Sequence, residues 1–207
     1  MKMILASFLL VFLTSSVLFA QENSDRTHDM NKFLSKNIMY PIEARSNEVE
    51  GLVVIQATFD EQGQPIKTLV ISGNDLLAEE VTRTVTALTQ NWNPEYLGNR
   101  PKADSYLMSF QFKIVKEEKS STKIKQMPMT EYADLMQNPE KQLNHGLENN
   151  PYNFKLYQER AELYTSLNLP VLAEKDLMLA EYFKQKMLTE VVIVGYQVKN
   201  KSLSALD

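Results

Sequence analysis

An α+β fold is predicted for this chain: a three-stranded antiparallel sheet with one packed helix, then a small all-α hairpin and a C-terminal strand. Three observations predict it. A β-branched and aromatic run, Leu52 to Phe59, meets the turn Asp60-Glu61-Gln62-Gly63 and a second extended run, Pro65 to Ser72, which together read as a hairpin. Leu77, Val81, Val85 and Leu88 recur at helical spacing, which gathers them on one buried face. Tyr106, Met108, Phe110, Phe112 and Ile114 alternate strictly with Leu107, Ser109, Gln111 and Lys113, the period of a strand with one face in a core.

The elements follow in order. Lys2, the apolar run Ile4 to Phe19 and Ala20 ahead of the polar Gln21, Glu22 and Asn23 make up a secretory signal over residues 1–20. Cleavage after Ala20 would leave a periplasmic protein. Retention would leave one anchored in the inner membrane and facing the periplasm, although the run is short for a span and is interrupted by Thr14, Ser15 and Ser16. Residues 21–35 read as a polar linker, and Tyr40-Pro41 forces an extended lead-in to a domain over 36–116. Gly51 opens the first strand, and Gly63 supplies the positive φ that the hairpin turn needs.

Asn74 or Asp75 can cap a helix running to about Asn91, and a Pro-, Gly- and Asn-containing loop, Asn93 to Asp104, leads to the third strand. Lys116 to Lys125 is charged and serine-rich, which marks a boundary and a second linker over 117–129. Residues 130–187 have a helical pattern broken at Asn138-Pro139, Asn149-Asn150-Pro151 and Asn168-Leu169-Pro170. Within the last segment, 188–207, the β-branched tetrad Val191 to Val194 reads as a strand.

Composition narrows the function. The 207-residue chain has a formal net charge of −4, which argues against a nucleic-acid partner, since phosphates select strongly basic faces. It has no cysteine, so neither disulfides nor a lipid-modified cysteine contribute. Catalysis needs particular groups brought together, and none presents itself. His28 lies in the linker and His145 in a helical stretch, while Glu79 and Glu80 are adjacent on a helix surface where solvated charge is the ordinary role. Six glycines leave no phosphate cradle. The expectation is a protein that is not an enzyme, with no catalytic or metal residues, no cofactor and no small-molecule substrate.

Residues 36 to 115 resemble the C-terminal domain of TonB, the periplasmic protein that docks on outer-membrane uptake receptors. The resemblance rests on Tyr40-Pro41 with Ala44, Glu50-Gly51, Phe59-Asp60 and Gly63, Leu77 with Glu79, Glu80 and Val81, Trp92 with Pro94, and Pro101-Lys102 with Phe110 and Phe112. It implies an edge strand whose free N–H and C=O groups take an incoming peptide, the receptor's TonB box, by strand addition. The expected partner-binding element is the strand carrying Tyr106, Met108, Phe110, Phe112 and Ile114, used through its backbone, with side chains near Trp92. Each of these residues also has a structural reading: Gly51 and Gly63 permit turns, Trp92 fills core and Tyr40-Pro41 staples the lead-in.

Two further resemblances lie beyond it. Tyr157, Ala161, Tyr164, Ala173, Leu177 and Ala180 fall at the spacings of one tetratricopeptide repeat, with Leu143, Gly146 and Pro151 matching part of a second; an ordinary helical hairpin is the other reading. The segment Glu190, Val191, Val192, Ile193, Val194, Gly195, Tyr196 looks like the TonB box of outer-membrane nutrient receptors, with Gln197 where those boxes usually have a further glycine. It is either a last strand of the sheet or a box that occupies the edge of its own domain or of a neighbour's, the second case giving self-association.

The function these readings imply is a periplasmic TonB-like protein-binding protein that recognises an outer-membrane receptor or another envelope protein by strand addition, in TonB-dependent transport. The alternative is a structural or regulatory envelope adaptor that binds mainly through its helices. The family's anchor carries a histidine that Met1 to Ala20 lacks, and residues 21–36 reach only about 55 Å when extended. Docking, competition or scaffolding is therefore expected rather than force transmission.

Overall fold

Residues 28–115, Leu135 and residues 137–196 are described by the structure, a computed structural model. The expected signal peptide, the first part of the first linker, the linker over 117–129 and residues 197–207 lie outside the described residues.

Strand β1 (Gly51–Phe59) and strand β2 (Pro65–Ser72) form the expected antiparallel hairpin. Asp60 closes its turn by accepting from the backbone N–H groups of Gln62 and Gln64 at 3.0 and 2.8 Å, and Gly63 adopts a φ of 78°. The indole Nε1 of Trp92 donates to the Gly63 carbonyl at 2.8 Å, and its ring lies 4.9 Å from that of Phe59. Helix α3 (Asp75–Gln90) is capped by Asn74, whose side chain accepts from Leu76 N–H, and it buries Leu77, Val81, Thr84, Val85 and Leu88. Strand β3 (Ser105–Val115) pairs antiparallel with β1, setting Phe110 against Val53 and Met108 against Ile55. Alternation decides which side chains meet α3: Tyr106, Met108, Phe110 and Phe112 are all within 2 % of full burial.

Two expectations are corrected. Residues 28–35 are not linker: residues 28–37 form a helix, α1, with Met30 and Leu34 fully buried in the same cluster as Val53, Leu77 and Phe110. Met30, Leu34 and Ile38 recur every fourth residue, a stripe diluted by the polar residues between them. A short helix α2 (Ile42–Ser46) follows. Glu80 and Arg83 of α3 hold this N-terminal layer: Glu80 Oε1 accepts from Met39 N–H at 2.7 Å, and Arg83 Nη2 donates to the Asn37 carbonyl at 2.6 Å.

The second correction is the strand count. The sheet has four strands, ordered β2-β1-β3-β4, because the C-terminal strand β4 (Met187–Tyr196) lies parallel on the outer side of β3. The edge of β3 expected to be open is thus covered. Before β4 come helices α4 (Pro139–Asn149), α5 (Phe154–Ser166) and α6 (Pro170–Lys186). They start at the expected breaks, α4 with the Asn138 side chain capping Lys141 N–H at 3.1 Å and proline in the first turn of α4 and α6.

In α5 and α6, Tyr157, Ala161, Tyr164, Ala173 and Ala180 are buried, whereas Leu177 is 53 % exposed. The two helices are joined by a buried ion pair: Arg160 donates to both Asp176 carboxylate oxygens at 2.7 and 2.8 Å and to Asn144 Oδ1 at 2.7 Å. The helical part packs on the sheet face opposite α3, where Tyr152 and Phe183 meet a cluster of Leu52, Val54, Leu107 and Met187. Val54 therefore breaks the alternation of β1, being buried on the second face.

Candidate functional site at the sheet edge

The sheet edge is built from β3 and the strand that lies on it. The pairing runs from Leu107 opposite Met187 to Val115 opposite Tyr196, with one register shift between Leu107 and Met108. Parallel neighbours need a long crossover, and here the helices α4 to α6 lie between them in the chain. Because side chains alternate, Val191, Ile193 and Gly195 turn into the core and Val192, Val194 and Tyr196 face out. The inward pair is buried with Leu188 among Met30, Leu34, Phe110 and Phe112, so β4 supplies part of the domain's own core.

Three polar ties fix where β4 begins. Lys186 Nζ donates to both carboxylate oxygens of Asp104 at 2.6 Å, and Arg100 Nη2 donates to the Met187 carbonyl at 3.1 Å. The Thr189 hydroxyl is hydrogen-bonded to Asn31 of α1. The hydrogen bond from Lys186 holds the Asp104 carboxyl below the ordinary aspartate range, helped by the Ser105 N–H. Burial raises the Tyr106 hydroxyl, which donates to the Pro101 carbonyl at 2.6 Å. A cleft of about 500 Å³ lies beside these ties, lined by Arg100, Pro101, Asp104, Glu181, Lys184 and Lys186 among others.

Glycine at 195 has a spatial reason. A Cβ there would lie 2.6 Å from Tyr40 Cδ2 and 3.1 Å from Arg45 Cδ, well inside contact distance. Tyr40 is held in turn: its hydroxyl donates to the Val49 carbonyl at 2.7 Å, and its ring stands edge-on to Phe112 at 5.2 Å. Burial, with Glu50 adding to it, raises the pKa of that hydroxyl.

The residues expected from sequence are thus only partly brought together. Tyr106, Met108, Phe110, Phe112 and Ile114 are core-facing; the last four pair with β4 through their backbone, and Phe110 and Phe112 share a core cluster with its inward-facing Val191 and Ile193. Trp92 is placed elsewhere: its hydrogen bond and ring contacts are with Gly63, Phe59 and Tyr96 at the hairpin turn. Glu190 to Tyr196 all lie in β4, against β3. The sequence reading missed Asn31, Arg100, Asp104 and Lys186 as parts of this edge. Their partners are far away in the chain, Lys186 from Asp104 and Thr189 from Asn31, so no local spacing signals them. Among the described residues no group of three or more His, Cys, Asp and Glu is placed to hold a metal ion, and no helix is long and apolar enough to cross a membrane.

A β-hairpin, a helix and a third antiparallel strand make up a small α+β domain, with β4 laid along β3. Residues 36–114 match the family model described as Gram-negative bacterial TonB protein C-terminal. The match ends one residue short of the end of β3 and leaves α4 to α6 and β4 outside it. No curated protein and no solved structure matches the chain. Domains of that family are protein-interaction modules of envelope proteins involved in energy transduction and transport.

Proposed function

We propose that this is a periplasmic TonB-like binding protein that takes an extended segment of an outer-membrane receptor or another envelope protein onto β3, displacing β4 to do so. The single observation that supports this reading most is the parallel pairing of β4 along β3 from Leu107 to Val115. The occupant of the edge is the very segment that resembles a receptor's box, Glu190 to Tyr196. A strand that binds there in cis has the backbone complementarity that an incoming strand would need. Because the cis strand is tethered, its effective concentration is high, so the partner must bind tightly or act when β4 is loosened.

A disulfide lock tests this. The chain has no cysteine, and Lys113 and Val194 are register partners on the outward face. Neighbouring strands bring Cα atoms within the range a disulfide bridges. Lys113→Cys with Val194→Cys should therefore fix β4 in place when oxidised. Binding of a receptor-box peptide, read by amide shifts in 105–115 on the full chain, should be absent in the oxidised form and return on reduction. Equal binding in both forms would remove β3 as the site.

The adaptor reading has its own observation. Val171, Met178 and Tyr182 share one side of α6 and are exposed by 77, 69 and 54 %. A partner that binds the oxidised, locked form as well as the reduced one, and loses affinity on Met178→Asp, would favour the helices as the main surface.

A further inference from the structure

We propose that Tyr40 makes the β3 edge selective for glycine, so that the partner segment it accepts is a parallel strand with β-branched residues at alternate positions and glycine two residues further on. The inference rests on the strand-addition reading and adds to it a rule for which strands fit. In β4 the rule is met by Val191, Ile193 and Gly195, the three positions that face the core.

The first two are ordinary apolar positions, each 7 % exposed. The third is different. Gly195 pairs with Ile114, and the space where its side chain would stand is filled by the Tyr40 ring and the Arg45 stem, at 2.6, 3.0 and 3.1 Å from an ideal Cβ. Its φ lies outside the left-handed region, so the backbone does not require glycine. Gly51, at the start of β1, offers the contrast: a positive φ of 145° and nothing within 4 Å of its Cβ position. One glycine serves the backbone, and the other serves the neighbour.

Whether the rule holds depends on whether Tyr40 can yield. Swinging its ring away breaks the hydrogen bond to Val49 and the edge-on contact with Phe112, and the following Pro41 restricts the backbone of Tyr40 itself. The interior at Phe112 is fully buried, leaving the ring little space in that direction. A strand with any side chain at this position must therefore displace a held aromatic, and exclusion of that kind discriminates among otherwise similar partners.

The sign of one substitution is informative. Where space is free, alanine is a better strand residue than glycine, so an open position would gain from Gly195→Ala. A crowded one loses. In the full chain, Gly195→Ala should lower the hydrogen-exchange protection of residues 191–196 at least tenfold and leave β1 unchanged. In a Tyr40→Ala background the same substitution should cost far less or should raise protection, which a double-mutant cycle reads directly. Tyr40→Phe, which keeps the ring and drops only the bond to Val49, serves as the milder background if Tyr40→Ala does not fold.

In the Gly195→Ala chain, whose own strand is loosened, the peptide Glu-Val-Val-Ile-Val-Gly-Tyr should bind at least tenfold more tightly than the same peptide with alanine in place of glycine. Equal losses in both backgrounds, or equal affinity of the two peptides, would overturn the proposal. A strong coupling to Tyr40 with neither peptide bound would overturn the strand-addition reading instead and confine the selection to the chain's own tail.

Discussion

The two sides of β3 are joined to the sheet by different means. On one side β1 lies antiparallel, within the matched domain and backed by α3, with Val53 and Ile55 meeting Phe110 and Met108 across the seam. On the other side β4 lies parallel, delivered by a helical region outside the match, and four of its ten residues are exposed. Breaking the first seam would remove the domain's core. Breaking the second would expose the edge of β3, the edge that the proposed strand addition requires. The difference is that β4, which contributes Val191 and Ile193 to the core, lies at the rim of the sheet and is paired on one side only.

Substitutions can pull the two seams apart, and the largest effect belongs where they share a residue. Phe110 is fully buried between them, and Phe110→Ala should cost about 3–5 kcal/mol, lowering the unfolding free energy measured by urea titration and the protection of β1 and β4 together. Asp176→Ala leaves Arg160 without its carboxylate in a largely buried setting and should cost about 3 kcal/mol. Its effect should fall on α5 and α6 and on protection of β4, with β1 spared; a uniform loss across β1 and β4 would show the helices to be part of one cooperative unit.

Ile193→Ala removes apolar volume from the second seam alone and should cost about 2 kcal/mol. Its expected signature is faster exchange in residues 187–196 with the β1–β3 amides unchanged.

The smallest effect is expected from the ion pair at the root of β4. Lys186→Ala should cost less than about 1 kcal/mol, since both side chains keep a quarter or more of their surface in solvent, which screens the pair. Its pH dependence sharpens the comparison. The folded-state pKa of Asp104 is depressed, so the pair contributes fully above the ordinary aspartate value, about 3.9, and the contribution is lost as pH falls from there through the depressed value. In acid, exchange in β4 should therefore quicken before that in β1, and in Lys186→Ala the Asp104 carboxyl, followed by carbon-13 NMR, should titrate closer to its ordinary range.

What was legible in the sequence follows the range of the interactions. The hairpin, α3 and β3 were readable because period-two and helical stripes and the cap at Asn74 are local signals. The helix over 28–37 was missed because its stripe is only Met30, Leu34 and Ile38, too sparse to stand out from polar neighbours. At the edge, the strand character of Val191 to Val194 and of the alternating run that becomes β3 were both readable. Their pairing is only one of several that the sequence allows, because nothing local to either strand records the other.

By itself the sequence determined which segments become strands and helices and which faces are apolar, since both are set by side chains a few residues apart. The tertiary structure alone decided that β4 lies parallel on β3, that Lys186 meets Asp104 and that Tyr40 fills the space beside Gly195. The reason is that these are contacts between surfaces built separately, and which surfaces meet depends on how the helices α4 to α6 lead the chain back to the sheet.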